Sequence, residues 1–445
     1  MSKRPIPRPS SRRATLTALA TVTVIALPAG AQHGPEHGTP GERRPERAVE
    51  WSLGAGAVGL VTHATPAFDG RAYTEGYLTQ PVVMAHVVAP SLAGLRLVAT
   101  LDLEGLTLER GELNAGVYGE GYVDRRHPHT LVHELVASVG GGVGGGTTRW
   151  SLAAGKGFVP FGSDDPMSRP FVKFPVNHHH AQILERWVAA AGVRVGPAML
   201  ELTTFNGDEP VGPYDWPTAS RFGDSYAARV TILPAPWLEL SASGAAVESP
   251  EHARGDGLDQ RKLHLGARVE RGTPGAGAWR YALAEYALGE DRSRGRLAHR
   301  YHSALVEGAA GVGAWEVALR GELTDRPEET RLADPFRSPR PHGDGSVLGV
   351  TRWGVVTAAL SYRLGLGDGL RLRPFVEVAH LSARPRVRPA AFEPAAFYGD
   401  DRMWSLSAGV RVDWGMRHAR MGRYGVAAGG AAGGDGVGHG GVSGH

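Results

Sequence analysis

Apolar and polar residues alternate along much of the chain with a period of two. In residues 95–104, leucine and alanine fill the odd positions, while Arg96, Thr100, Asp102 and Glu104 fill even ones. Residues 314–323 and 403–414 show the same alternation. A β-strand has this period, because its successive side chains point to opposite faces. The pattern therefore predicts an all-β chain.

The connections between these segments alternate in length. Short ones such as Gly196–Pro197 and Gly311–Gly313 follow long polar ones such as Gly105–His129 and Phe158–Ala181. Transmembrane β-barrels have short periplasmic turns and long extracellular loops. We therefore predict a closed antiparallel transmembrane β-barrel with periplasmic termini and about sixteen strands, fourteen being the alternative count. The predicted strands are 51–63, 78–89, 95–104, 130–140, 148–157, 182–195, 198–206, 225–233, 238–247, 261–270, 279–288, 302–311, 314–323, 347–364, 370–380 and 403–414.

In such a barrel the apolar face of each strand meets lipid and the polar face lines the lumen. Trp150, Trp237, Trp279 and Trp315 each begin a strand just after a short turn. We expect them to form a girdle at the membrane interface, where tryptophan is enriched. A large soluble β-sandwich or propeller is the competing interpretation.

The chain begins with a predicted signal peptide over residues 1–31. Lys3, Arg4 and three further arginines precede the apolar stretch Ala14–Leu27 and the small residues Ala29–Ala31. Residues 32–50 are predicted to be a flexible periplasmic lead, 51–414 the barrel, and 415–445 a flexible tail rich in glycine and histidine. The expected location is the bacterial outer membrane, in contact with its lipid.

Removal of the signal peptide changes the charge. The chain has 48 lysines and arginines, 45 acidic residues and no cysteine. Without the five cations of the leader, 43 basic residues face 45 acidic ones, a net charge of about −2. Basic patches with interleaved aromatic residues are absent, so nucleic acid is not an expected partner.

The third long loop, residues 158–181, combines aromatic, acidic, basic and histidine residues. In general porins this loop folds into the lumen and narrows it. We therefore consider Asp164, Asp165, Arg169 and Lys173 as candidates for a pore constriction, with a solvated surface loop as the alternative. Acids that face arginines across a narrow aqueous gap sort solutes by charge. Arginines on predicted lumen-facing positions are Arg96, Arg186, Arg194, Arg229, Arg268, Arg320, Arg363, Arg371, Arg373 and Arg411.

Histidines are concentrated in the second and third long loops. Imidazoles grouped without cysteine suit copper, nickel or zinc. No carboxylate stands at a recognised ligand spacing from them, so they form a weak candidate metal set. Its members are His127, His129, His133, His178, His179 and His180.

No signal for catalysis is found. His302 and Ser303 are adjacent, and adjacent residues of a strand face opposite sides. The sequence Gly-x-Ser-x-Gly is absent. The chain is therefore predicted to have neither enzyme activity nor a cofactor.

Two strings resemble an uncharacterised group of bacterial outer-membrane β-barrel proteins with an Asp-Arg-x-His-Pro-His motif. They are residues 124–129 (Asp-Arg-Arg-His-Pro-His) and 205–210 (Phe-Asn-Gly-Asp-Glu-Pro), accompanied by Asn177–His179. The resemblance covers most of residues 73–247. It implies a barrel and supplies no established function. A structural role in linking the loops is the favoured interpretation of Asp124, Arg125, His127, His129, Asn206, Asp208 and Glu209.

Together these observations predict a porin-like channel through which small hydrophilic solutes diffuse. The alternatives are a barrel that binds or admits transition-metal ions through its histidine-bearing loops, and a closed structural barrel. Whether three barrels associate as a trimer is left open.

Overall fold

Consecutive strands of the chain pair with one another in antiparallel fashion and close into a ring. The computed structural model describes residues 49–66, 70–108, 113, 129–143, 147–210, 212–272, 278–329, 347–388, 390–415 and 420–428. Within them the last strand returns to the first, with Ala55 opposite Trp414 and Thr65 opposite Trp404. The strands are β1 (Glu50–Thr65), β2 (Tyr73–Ala89), β3 (Leu95–Asp102), β4 (Val132–Val143), β5 (Thr148–Gly157), β6 (Arg186–Val195), β7 (Ala198–Phe205), β8 (Ser225–Ala235), β9 (Leu238–Val247), β10 (Asp259–Arg271), β11 (Trp279–Ser293), β12 (Arg296–Val312), β13 (Trp315–Glu329), β14 (Val347–Tyr362), β15 (Leu364–Gly365), β16 (Leu370–Pro385) and β17 (Arg402–Trp414).

β15 is a two-residue continuation of β14. Both pair with β16, so the described wall has sixteen strands. Each of the sixteen predicted strands overlaps one of them, and the barrel prediction is confirmed. The wall begins and ends at the rim that carries the short connections, which we call the short-turn rim; the opposite rim is the long-loop rim.

Helices are few and short. In the part of the chain that the structure describes they are α1 (Glu104–Thr107), α2 (His178–Ala181) and α3 (Pro394–Tyr398), with single-turn 3₁₀ helices at Pro166–Ser168, Ala219–Arg221 and Gly425–Ala427. Among the described residues, none of the helices has the length and apolar character that crossing a membrane requires.

The two faces of the wall differ in chemistry. On β13, Trp315, Val317 and Leu319 point outward and keep more than half of their surface exposed, whereas Glu316 and Arg320 between them are 2% exposed. The same alternation recurs on β7, β8, β11 and β17. An apolar exterior around a polar interior is the arrangement that lipid requires of a barrel.

Two expectations about the wall are wrong. Residues 289–301 were expected to form a loop, but β11 and β12 continue through them and meet at the two-residue turn Arg294–Gly295. Their charged side chains pair across the strands, so polarity alone did not mark a loop. Trp279 does not join an outer girdle: its ring is 5% exposed and packs inside the barrel with Phe171.

Two segments occupy the interior. The first is residues 158–185 between β5 and β6, which we call the inner loop. The second is residues 420–428, which we call the inner C-terminal segment. The expectation of a flexible tail does not hold for residues 420–428, because Met421, Arg423, Tyr424 and Val426 are buried.

Candidate functional site

The inner loop is held by carboxylates of the opposite wall. The backbone N–H groups of Val172 and Lys173 donate to Glu377 on β16, at 2.9 and 3.2 Å. The N–H of Val176 donates to Glu322 on β13, at 2.7 Å. A buried backbone donor without a partner is costly, so these acids make it possible for an irregular segment to lie inside the barrel.

Wall arginines bind the carbonyl groups of the same loop. Arg320 donates to the carbonyl oxygen of Lys173 at 3.1 Å, and Arg411 donates to that of Met167 at 3.0 Å. Apolar side chains complete the attachment, since Phe171 packs against β11 to β13 and Val172 against β1 and β16. The loop therefore contacts strands around most of the barrel.

Asp164 is the most strongly bound of the predicted constriction residues. Its carboxylate contacts Arg268 on β10 and accepts from Arg420 Nε at 2.7 Å. Burial alone would raise the pKa of Asp164, but Arg420, Arg268 and Arg423 hold this pKa well below its usual range. The expected aqueous gap between this acid and the wall arginines is not found, because the charges are in direct contact.

The other three constriction candidates also have partners. Asp165 accepts from the N–H of Met167 at 2.7 Å and caps the 3₁₀ helix of the loop. Arg169 lies 3.4 Å from Glu285 and 3.7 Å from Glu307. Lys173 donates to the carbonyl of Leu113 at 2.8 Å and also contacts the Tyr77 hydroxyl. These contacts fix the loop inside the barrel.

The inner C-terminal segment meets the loop at Asp164. Arg420 bridges Asp164 and Glu239 of β9, with distances of 2.5 and 2.9 Å to the two oxygens of Glu239. Arg423 donates to the same Glu239 at 2.8 Å. Tyr424 donates to Glu134 of β4 at 2.8 Å and accepts from the N–H of Phe158 at 3.0 Å. The segment thus joins the loop to β4 and β9.

The predicted lumen arginines all lie on inward positions of their strands or directly after one. Seven of them have an acidic partner within 4 Å: Arg186 with Glu209, Arg229 with Glu201, Arg268 with Asp164 and Glu270, Arg320 with Glu322, Arg363 and Arg373 with Glu316, and Arg411 with Asp413. Arg96, Arg194 and Arg371 lie close to the short-turn rim. Extensive pairing of this kind is what a filled lumen requires.

A small cavity lies between the inner loop and the wall. It has a volume of about 20 Å³ and lies between Lys173, Arg320, Glu322 and Glu377. A cavity of this size holds about one water molecule. At this level the inner loop leaves little free space beside β13 and β16.

The described histidines of the candidate metal set contact different partners. His178 lies 3.2 Å from the carbonyl of Pro175, and His180 lies 3.0 Å from that of Asp325. His133 contacts Glu185 at 2.7 Å. Burial would raise the pKa of Glu185, but His133 and Lys156 lower it to about 2. The candidate metal set is therefore dispersed over different partners.

His129 has two carboxylate neighbours that no sequence spacing indicated. Its Nδ1 lies 2.9 Å from Glu104 Oε2 and 3.7 Å from Asp102 Oδ2. Burial lowers the pKa of His129, but the hydrogen bond and charge of Glu104 outweigh burial and raise it to about 10. The two acids stand more than twenty residues earlier and come close because β3 and β4 are neighbours.

The loop-network residues are partly described. Asp124, Arg125 and His127 lie outside the described residues. Asn206 donates to Asp208 at 2.8 Å and accepts from the N–H of Trp187 at 2.6 Å. Glu209 binds Arg186 at 2.6 Å. The second loop reaches the third through Thr130, whose N–H donates to Glu185 at 2.8 Å.

Sequence reasoning missed several residues of this interior, namely Asp102, Glu104, Glu185, Glu239, Glu285, Glu377, Arg420, Arg423 and Tyr424. For the last three a signal was available. Residues 420–424 (Arg-Met-Gly-Arg-Tyr) bring two cations and an aromatic residue into a region that is otherwise mostly glycine and alanine. Such a string can be buried against acids, unlike the glycine-rich residues after it.

The geometry defines a class: a sixteen-stranded transmembrane β-barrel of the bacterial outer-membrane type with an infolded third loop. No family model matches the chain, and no curated protein matches its sequence. Among solved structures, it is similar to an anion-selective porin from Comamonas acidovorans (13% identity, 82% of this chain, 100% of that chain, TM-score 0.47). It is also similar to OmpT, an outer membrane protein of Vibrio cholerae, in its trimer form (9% identity, 83% and 100% covered, TM-score 0.45). A third is Pseudomonas aeruginosa OpdK with vanillate (11% identity, 82% and 98% covered, TM-score 0.39). Nothing about solutes carries over at these values.

Proposed function

We propose that the protein is a narrow porin-like channel for small hydrophilic solutes in the outer membrane. Its constriction would form where the inner loop meets the inner C-terminal segment. The observation that carries this proposal is the contact of Asp164 with both Arg268 of the wall and Arg420 of the C-terminal segment. Two segments from distant parts of the chain thereby meet in the lumen.

The chemistry of the interior supports a path for polar solutes. Charged residues of both signs line the inner face of the wall, and a water-filled lumen stabilises such a face. A barrel with a purely structural role has no need of so many ionic groups, since apolar residues of similar volume fill a core with no desolvation cost. We therefore favour a conducting barrel.

One observation favours the closed structural barrel as a second candidate. Most lumen arginines have acidic partners, and Asp164, Arg169 and Lys173 are at most 5% exposed. A channel built this way conducts weakly unless the inner segments move. Unitary conductance separates the two functions, because a closed barrel gives no current.

The test is single-channel recording in planar bilayers with the protein lacking its predicted signal peptide. Three proteins would be compared: the unaltered barrel, a variant lacking residues 162–176, and a control that lacks residues 293–296 of the exposed hairpin turn. We expect small ohmic steps from the first and third proteins. The loop deletion should raise unitary conductance several-fold.

Each outcome has a distinct meaning. An unaltered barrel that is silent while the loop deletion conducts would support the closed barrel. Equal conductance in all three proteins would overturn the assignment of the constriction. If all three proteins give no current although their heat-modifiable gel mobility shows that they are folded, the channel is excluded.

A further inference from the structure

Three buried side chains outside the proposed constriction converge on one point. Asp102 ends β3, Glu104 begins α1, and His129 precedes β4. One carboxylate oxygen from each acid and Nδ1 of the imidazole all lie within 4.8 Å of one another. Asp102 is 1% exposed, Glu104 5% and His129 9%. The group therefore combines two hard oxygen ligands with one imidazole.

The carboxylates are oriented by hydrogen bonds to their far oxygens. Glu104 Oε1 accepts from Thr79 Oγ1 at 2.7 Å and from the N–H of Gln80 at 2.8 Å. Asp102 Oδ1 accepts from the N–H of Glu104 at 2.8 Å. Their remaining oxygens, Oε2 and Oδ2, lie on the side of His129. Outer hydrogen bonds that fix ligand carboxylates in this way are typical of metal sites.

Two polar atoms at this point are unsatisfied. Asp102 Oδ2 and His133 Nε2 are buried and make no hydrogen bond within the described part of the chain. The His133 ring lies 5.2 Å from the His129 ring, measured between centroids. A buried carboxylate oxygen without a partner is costly, and a cation bound to Asp102 Oδ2 would satisfy it.

We propose that Asp102 Oδ2, Glu104 Oε2 and His129 Nδ1 bind a divalent transition-metal cation. The nitrogen ligand favours ions such as Zn²⁺, Mn²⁺ or Co²⁺ over Mg²⁺ and Ca²⁺, which prefer oxygen alone. The cation takes the place of the proton between His129 and Glu104, and that proton leaves to solvent. Three protein ligands leave coordination positions for water.

The site would connect to the inner loop through Gln80. Its backbone N–H binds Glu104, and its side-chain amide donates to the carbonyl of Val172 at 3.1 Å. A bound cation would therefore brace the loop where it passes β2. The site does not depend on the channel proposal, because binding is measured without conductance.

The test is equilibrium dialysis of Zn²⁺ against the folded full barrel in detergent. The variants are Asp102→Asn, Glu104→Gln and the control His178→Ala/His179→Ala, which removes imidazoles from α2. We expect about one tightly bound Zn²⁺ per chain, an affinity lowered at least 10-fold in each carboxylate variant, and unchanged binding in the control.

A second readout covers the case in which a carboxylate variant fails to fold. Co²⁺ bound to the unaltered barrel should give visible d–d absorption bands that Zn²⁺ abolishes by competition. Absence of a tight site, or equal Zn²⁺ affinity in folded Asp102→Asn, Glu104→Gln and unaltered barrels, would overturn the proposal. So would loss of the tight site in the histidine control.

Discussion

The outer and inner faces of the barrel wall are built from the same strands but depend on different partners. On β13, Val317 and Leu319 face outward, where lipid surrounds them. Their environment therefore does not depend on which other residues of the chain lie nearby. Glu316 on the same strand contacts Arg363 and Arg373, which stand about fifty residues later. The outer face is therefore set by local pattern, and the inner face by long-range pairing.

This difference determines what a substitution does. An outward residue can be replaced by another apolar residue at little cost in stability. Its replacement by a charged residue is destabilising, because lipid offers no counter-ion. An inward residue is sensitive to the loss of one partner, because the other charge is left buried. Substitutions on either face test this difference.

The largest effect is expected from Glu239→Gln. Glu239 binds both Arg420 and Arg423, and its neutralisation leaves two buried guanidinium groups short of a counter-charge. Removal of one partner from a buried ion pair costs about 3–5 kcal/mol. Urea unfolding in lipid vesicles would measure this loss. Glu248→Gln is the control, because its partner Arg254 is exposed and 3.9 Å away; equal losses in both variants would contradict the comparison.

A charge on the outer face should cost slightly less. Leu319→Arg places a cation on the lipid side of β13 and should destabilise the barrel by about 2–4 kcal/mol if this position lies near the bilayer midplane. Leu319→Phe keeps the surface apolar and should unfold at nearly the urea concentration of the unaltered protein. If the two variants unfold alike, this surface does not face lipid.

The wall could be predicted from sequence because its signal is local. The predicted bounds 148–157 and 238–247 match β5 and β9 to the residue. Polarity was misleading for residues 289–301: they are rich in charge, yet Glu290 pairs with Arg300 across β11 and β12, which continue through them. The prediction for Trp279 was wrong because an aromatic residue suggested the lipid side of the wall. Trp279 instead points inward and packs with Phe171 of the inner loop.

The interior could be predicted only in outline. The inner loop was recognised by its mixture of aromatic and charged residues and by its place as the third long loop. The acids that hold it, such as Glu322 and Glu377, are single residues in alternating strands and look like any other lumen acid. Which of them meets the loop depends on the closed ring, and no local pattern contains that information.

A smaller effect is expected in the difference between two substitutions, Gly425→Ala in the inner C-terminal segment and Gly196→Ala in a short turn. Gly425 has a φ of +53°, and a Cβ there would overlap the Ser151 side chain. Gly196, in a short turn, has a φ of +56° and open space around its Cβ position. Both alanine variants bear the strain of the left-handed region, about 1–2 kcal/mol. Gly425→Ala should lose about 1–3 kcal/mol more because of overpacking.

The difference between the stability losses of the two alanine variants reports the packing of the inner C-terminal segment, because backbone strain is common to both. Urea unfolding of the two alanine variants measures it directly. Equal losses would mean that residues 420–428 do not pack against β5 in the folded protein. Truncation after residue 419 should then also leave stability unchanged.

The smallest effect is expected at the exposed end of the hairpin formed by β11 and β12. Arg300 binds Glu290 through two nitrogens, at 2.9 and 2.6 Å, and Arg229 binds Glu201 through two nitrogens at 2.6 and 2.9 Å. The distances are similar, but both nitrogens of Arg300 bind one oxygen of Glu290, whereas Arg229 binds both oxygens of Glu201 and also donates to the Gly422 carbonyl at 2.8 Å. The Arg300 side chain is 48% exposed and that of Arg229 is 1% exposed. Arg300→Ala should therefore cost at most about 1 kcal/mol, and Arg229→Ala about 3–5 kcal/mol. A difference in unfolding free energy then reports burial together with the hydrogen bond that Arg229 alone makes to Gly422. Equal losses would mean that water reaches Arg229 as freely as Arg300, and the lumen between β7 and β8 would then be open.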